Sequence, residues 1–144
     1  MADHSSWIMA FKGDGNMKRI NLRIKLGRNP LVKEHMVNAY LTPVAGLVIH
    51  PGVEWDGAED RIIVKRNCWV ITQYPTGKMA FSGIFTMQDA LDIVNRDMAP
   101  FNWVGLSVED VIAPNDAIAL QALAKRVNEQ ISIAYKGHSE ARKK

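Results

Sequence analysis

Cys68–Met98 reads CWVITQYPTGKMAFSGIFTMQDALDIVNRDM, and this stretch decides the fold. Cys68–Tyr74 is apolar and rich in β-branched and aromatic residues, which predicts a strand. Pro75 presets φ for the first central position of a turn, and Gly77 can take the left-handed conformation that closes a three-residue hairpin. Lys78–Phe85 is then the return strand, with Gly83 marking a bulge or a close backbone approach. Thr86 is placed to cap a helix, and Asp89 brings a carboxylate to its positive end. Met87, Ala90, Leu91, Val94 and Met98 form one apolar stripe at helical spacing, and Pro100 ends it.

Outward from this unit the patterning continues on both sides. Lys18–Leu26 alternates strictly, with Ile20, Leu22, Ile24 and Leu26 on one face and Arg19, Asn21, Arg23 and Lys25 on the other. A period of two predicts a half-buried strand, and Gly27-Arg28-Asn29-Pro30 ends it. Leu31–Tyr40 fits either a short helix or a strand. Leu47-Val48-Ile49 reads as a short strand closed by His50-Pro51-Gly52, and 52–60 as an acidic loop. Arg61–Val64 opens a further strand. Downstream, Ser107 with Asp110 is a capping pair. Pro114 suits a first helical turn. Leu120, Leu123, Val127, Ile131 and Ala134 make a long amphipathic helix, with Gly137 as its stop. Strands come first and helices last, so the expected class is α+β: an antiparallel sheet of about four to six strands with two C-terminal helices packed on one face. The expected organisation is a weakly ordered segment over 1–16, one domain over 17–137 and a mobile basic tail over 138–144.

With 144 residues, 47% of them hydrophobic, the chain can bury a sizeable single core. No apolar run approaches the roughly 18 residues of a membrane span. The first residues, MADHSSWIMAFKGDGN, fit neither a secretory signal nor a transit peptide. The single Cys68 forms no internal disulfide and suits a reducing compartment. A cytoplasmic protein without a membrane partner is therefore expected.

The net charge of +3 is modest, but its distribution is uneven. Residues 12–33 carry Lys12, Lys18, Arg19, Arg23, Lys25, Arg28 and Lys33 against Asp14 alone, while Glu54, Asp56, Glu59 and Asp60 gather in one segment. The cationic row is either a solvated sheet face or a surface for an anion or phosphate backbone. In the second reading Arg19, Arg23, Lys25, Arg28 and Arg66 supply phosphate contacts. Arginine suits this because its planar fork donates two hydrogen bonds at once. Thr76 and Lys78 at the hairpin tip touch an anion through backbone N–H groups and the ammonium, and Tyr74 or Trp103 stacks on a base. Trp55 also falls in a loop-like segment suited to a ligand or subunit contact.

Other chemistries lack their residues. His4, His35, His50 and His138 show no ligand spacing, and there is no CxxC, so no metal site is expected. Cys68 beside Trp69 reads as a small buried hydrophobe rather than a nucleophile. Neither Gly13-Asp14-Gly15 nor Gly77-Lys78 matches a phosphate-binding loop, and no cofactor is expected. The acidic residues do not form a recognisable carboxylate pair.

The pattern Trp69-x-Ile71-Thr72-x-x-Pro75-Thr76-Gly77, followed by Phe85-Thr86 and Ala90, resembles small uncharacterised proteins of bacteriophages and mobile elements. The resemblance implies an accessory role, such as inhibiting a host defence system. The leading expectation is a non-enzymatic binding module that holds an anionic small molecule, such as a nucleotide, or blocks a host protein. The alternatives are a nucleic-acid-binding accessory protein and a structural or assembly protein. The last would act as a homo-oligomer through Trp7, Phe11 and the long C-terminal helix.

Overall fold

The computed structural model describes residues 18–26, 33–59, 61–74 and 76–143. Arg28, Pro75, Trp7 and Phe11 lie outside these residues, as does the whole segment 1–16. The strands are β1 (Arg19–Leu26), β2 (Lys33–Leu41), β3 (Leu47–Asp56), β4 (Arg61–Gln73) and β5 (Lys78–Ile84). They form one antiparallel sheet in sequence order. The helices follow: α1 (Met87–Asp92), which widens into a π-helical segment over Ile93–Met98, then α2 (Val108–Ile112) and α3 (Ala117–Lys143). The fold is α+β, as the element order predicts.

Register explains the main core. Tyr40, Ile49, Ile71 and Phe81 are successive cross-strand partners from β2 to β5. Directly opposed residues share a face, so this row stands on the side that receives the helices. Leu47, Ile49, Ile71, Phe81 and Ile84 pack there against Ala90, Leu91, Val94 and Met98, and against Leu123 and Val127 of α3. Thr86 Oγ1 accepts from Asp89 N at 3.0 Å, and Ser107 Oγ from Asp110 N at 3.1 Å, so both capping pairs form. In the π segment Asp97 is buried between two guanidinium groups, with Arg96 Nη2 at 3.1 Å and Arg126 Nε at 3.4 Å.

A second cluster lies on the opposite side of the sheet. Leu22, Val37, Ala39 and Val48 are buried together, joined by Ile20, Ile24, Leu41 and Val53. The sheet itself curls to shield them. Although β1 and β5 stand at opposite ends of the strand order, a Cβ placed on Gly77 would come within 2.8 Å of the Arg23 carbonyl oxygen. The first strand thus folds back onto the turn that opens the last. Leu22, on the side away from the helices, is only 1% exposed.

Several boundaries differ from the sequence reading. Leu31–Tyr40 resolves in favour of a strand, β2, over its described part. β3 does not stop at Ile49 but runs through His50-Pro51-Gly52 to Asp56, so most of the expected acidic loop is strand. Proline is tolerated there because β3 pairs with β2 only at Val48 and Ile49 among the described residues, and Pro51 has no β2 partner to lose. β4 is continuous, but Lys65–Cys68 face Gly52 alone across the β3 ladder, with Asn67 at φ 51°. Residues 113–116 connect α2 to α3, so Pro114 precedes α3 rather than opening it. Asp116 caps that helix, its Oδ1 accepting from Ala119 N at 3.0 Å. Gly137 does not stop α3, which runs on to Lys143. The His138 ring stacks on Phe85 at 4.2 Å and holds this last part against the start of α1.

Candidate functional site

The outward row of β1 is present as expected: Arg19, Asn21 and Arg23 are exposed while Leu22 is buried. Their neighbours on β2 engage them. The Arg19 guanidinium lies 5.5 Å above the Tyr40 ring, and Arg23 Nε is 3.2 Å from a Glu34 carboxylate oxygen. The row also shares the helix-bearing side of the sheet, because Arg19 pairs with Tyr40 and Tyr40 with Ile49. The Lys25 side chain and Arg28 lie outside the described residues.

The concave side holds a different feature. An open cleft of about 710 Å³ runs between β1 and the β4–β5 hairpin. That volume falls in the range of small-molecule sites. Val53, Val70 and Thr72 belong to its floor. Lys65 and Cys68 border it at the β4 bulge, Thr76, Gly77 and Lys78 at the turn, and Arg23 with Glu34 at the edge of β1, where the register turns the Arg23, Glu34 and Lys78 side chains toward the helix-bearing side. Three cationic residues therefore line the cleft against one acid, and that acid is already paired to Arg23.

Of the residues expected to bind an anion, the fold brings Arg23, Thr76 and Lys78 together. Arg19, Arg66, Tyr74 and Trp103 do not line the cleft. Trp103 has a structural task instead: its Nε1–H donates to Met98 O at 2.8 Å, and its ring packs on the helical core. Trp55 lies in β3 rather than a loop, its ring 5.0 Å from that of His35. The backbone of the hairpin tip is also occupied. Thr76 N donates to Gln73 Oε1, Gly77 N to Gln73 O, and Lys78 N to Thr76 Oγ1. The Thr76 hydroxyl donates to Gln73 Oε1 as well. The turn therefore keeps no free backbone N–H at Thr76, Gly77 or Lys78 for an anion.

Gln73 explains why the turn is held this way. Its carboxamide is buried, and Nε2 donates to Trp103 O at 2.8 Å and Gly105 O at 3.1 Å while Oε1 accepts from Thr76. A buried amide needs such partners. Here they fasten the hairpin at the cleft's edge to the loop after the π segment.

Sequence reading missed Lys65, His50, Thr72, Cys68 and Ser82. His50 and Thr72 are 4% and 1% exposed. His50 Nδ1 lies 2.8 Å from Pro51 O, and Nε2 lies 2.9 Å from Thr72 Oγ1. A carbonyl only accepts, so Nδ1 carries the proton and Nε2 accepts from the threonine hydroxyl. Burial pushes the His50 pKa down, opposed by the Pro51 carbonyl, which favours the charged ring. A threonine so enclosed and spent as a donor to a neutral ring satisfies the interior of the sheet. Cys68 is half-buried rather than fully inside, and a Cβ on Gly52 would meet its Sγ at 2.6 Å. Among the described residues no cluster of three or more metal-ligating side chains occurs, and no helix is long and apolar enough to cross a membrane.

No family model, curated protein or solved structure matches the chain.

Proposed function

We propose that the protein is a binding module that holds an anionic small molecule in the cleft between β1 and the β4–β5 hairpin. One observation carries the reading: the cleft is lined by Lys65, Lys78 and Arg23 against the single acid Glu34. Lys65 and Lys78 form no ion pair among the described residues, whereas Arg23 does. A cleft bordered by more cationic than acidic residues raises the local concentration of an anionic ligand. A nucleic-acid backbone would instead track an extended free cationic row. The outward arginines of β1 are spent on Tyr40 and Glu34, which favours the small molecule. Sequestering a phosphate-bearing signal is a role consistent with the phage-type resemblance.

The test is calorimetric titration of the full chain with a panel of nucleotides and sugar phosphates at low and physiological salt. Binding of at least one of them, lost in Lys65→Glu/Lys78→Glu, is the expected result. A panel bound equally well by that variant overturns the proposal.

A second reading rests on a separate surface. Val104, Leu106, Val108 and Ile112 are all exposed, Leu106 at 83%. A run of exposed apolar side chains suits contact with another protein, and a second copy of the chain is the proposed partner. Sedimentation should then show a dimer that Leu106→Lys dissociates; a monomer at micromolar concentration sinks this reading.

A further inference from the structure

We infer that the concave cleft encloses the hydrocarbon part of an amphipathic anion, a single chain such as that of a fatty acid. The inference rests on the anion-binding reading and names the body of the ligand. Strand register assigns the side chains that face the cleft. Met79 is opposite Thr72, and Thr72 is opposite Val48, which is buried in the cluster on the concave side. Val70 is opposite His50, two residues on from Val48 and so on the same face. Ile24 and Val53 pack directly against that cluster. All four of Ile24, Val53, Val70 and Met79 also line the cleft, so register and lining agree on them. From the level of Val48 to that of Val53 this apolar floor runs five steps along β3, roughly 16 Å for an extended strand.

The polar groups on this face select against a polar body. His50 and Thr72 are buried and satisfy each other. Ser82 and the half-buried Cys68 add one hydroxyl and one thiol to the lining. A sugar or a nucleobase carries several donors and acceptors, which would lose their water here without replacement. Apart from the buried His50 imidazole, no aromatic ring among the described residues belongs to the lining, so a base has no platform to stack on. A hydrocarbon chain has no hydrogen bonds to lose and is driven out of water onto such a floor. Met79 shows what it would cover: this side chain is turned to the concave side yet is 62% exposed. The anionic group of the ligand then stays at the border of the cleft, where the cationic residues are.

The experiment titrates hexanoate, octanoate, decanoate and dodecanoate calorimetrically into the full chain, each below its micellar concentration, with octan-1-ol as the uncharged counterpart of octanoate. Affinity should rise about threefold to fourfold for each added methylene until the floor is covered. Met79→Asp should lower decanoate affinity by about tenfold or more, since it sets a carboxylate against the chain. Met79→Leu should keep that affinity, and Leu106→Lys, on the separate apolar surface, should leave it unchanged. Cys68 is the only cysteine of the chain and belongs to the lining, so its alkylation by iodoacetamide is a second readout. Decanoate should slow it over the same concentrations that saturate the calorimetric signal. Affinity independent of chain length, binding that Met79→Asp leaves intact, or an alkylation rate that bound decanoate does not change overturns the hydrocarbon inference; nucleotides or sugar phosphates that still bind then leave the anion reading standing. Octan-1-ol bound as tightly as octanoate supports the apolar floor and overturns the anion reading. Binding of no chain, together with failure of the nucleotide and sugar-phosphate panel, overturns both.

Discussion

Replacing Gly46 by alanine should be among the most damaging single-methyl additions in the protein, and its cost follows from geometry. Gly46 sits at φ +91° in the β2–β3 connection, where a side chain is strained by about 1–2 kcal/mol. Its added Cβ would stand 2.2 Å from the Trp103 carbonyl oxygen and 2.6 Å from the carbonyl carbon. These are backbone atoms, so relief requires moving the loop, at the roughly 1–3 kcal/mol typical of overpacking. The same carbonyl accepts from Gln73 Nε2 at 2.8 Å, and displacing it loosens a bond worth about 1 kcal/mol. The expected loss is about 4 kcal/mol, against a total stability on the order of 10 kcal/mol for such a domain. Gly137→Ala is the control. That glycine is exposed within α3, nothing lies within 4 Å of its added Cβ, and alanine there should stabilise by about 0.5–1 kcal/mol. Urea unfolding followed by circular dichroism reads both. With a slope of about 2 kcal/mol/M, Gly46→Ala lowers the midpoint by roughly 2 M and Gly137→Ala raises it by a few tenths. A Gly46→Ala protein within about 1 kcal/mol of wild type would refute the close approach of the two loops.

Two further outcomes follow from buried polar groups. His50 is held neutral in the fold, its pKa pushed below 6.5 by burial. The unfolded chain therefore binds the extra proton first, so this contribution is complete above pH 6.5 and is lost as pH falls toward the depressed folded pKa. Urea midpoints measured between pH 8 and pH 5 should drop more for wild type than for His50→Gln, every other group being common to both proteins; equal slopes would contradict the neutral ring. Asp97→Ala should cost about 1–2 kcal/mol, because the buried carboxylate engages both Arg96 of the π segment and Arg126 of α3. Arg126→Ala should cost less than about 1 kcal/mol, since Arg96 remains and the arginines are half in water. Thermal melts showing the reverse order would place the stabilising charge elsewhere.

The elements that sequence exposed are those whose causes are local. β1 alternates without exception from Arg19 to Leu26, the β4–β5 turn needs Gly77 at φ +75°, and Thr86 and Ser107 cap through their own hydroxyls. β2 stayed ambiguous because its inward positions include His35 and Ala39, which weaken the period-two signal. Pro51-Gly52 looked like a stop because whether a proline breaks a strand depends on a partner strand ending nearby, and that is not encoded locally. Gly137 looked like a stop for a similar reason, since the stacking of His138 on Phe85 joins residues far apart in sequence.

The candidate site was less legible than the fold because curvature made it. Charge counting along the chain favours cations that are adjacent in sequence, and it gathered Arg19, Arg23, Lys25 and Arg28. Adjacent cations on a strand face, however, also meet a neighbouring strand, and β2 answers two of them with Tyr40 and Glu34. Of the lysines left without an acid among the described residues, the two that border the cleft sit at irregular points of the sheet: Lys65 in the β4 bulge and Lys78 just after the left-handed Gly77. A regular ladder supplies every outward side chain with a cross-strand neighbour, whereas a bulge leaves side chains such as that of Lys65 without one. The same irregularities bend the sheet until β1 meets the turn at Gly77. The bulge that helps form the cleft also leaves Lys65 without a cross-strand partner, so a binding surface is to be sought on this chain where strand pairing breaks register.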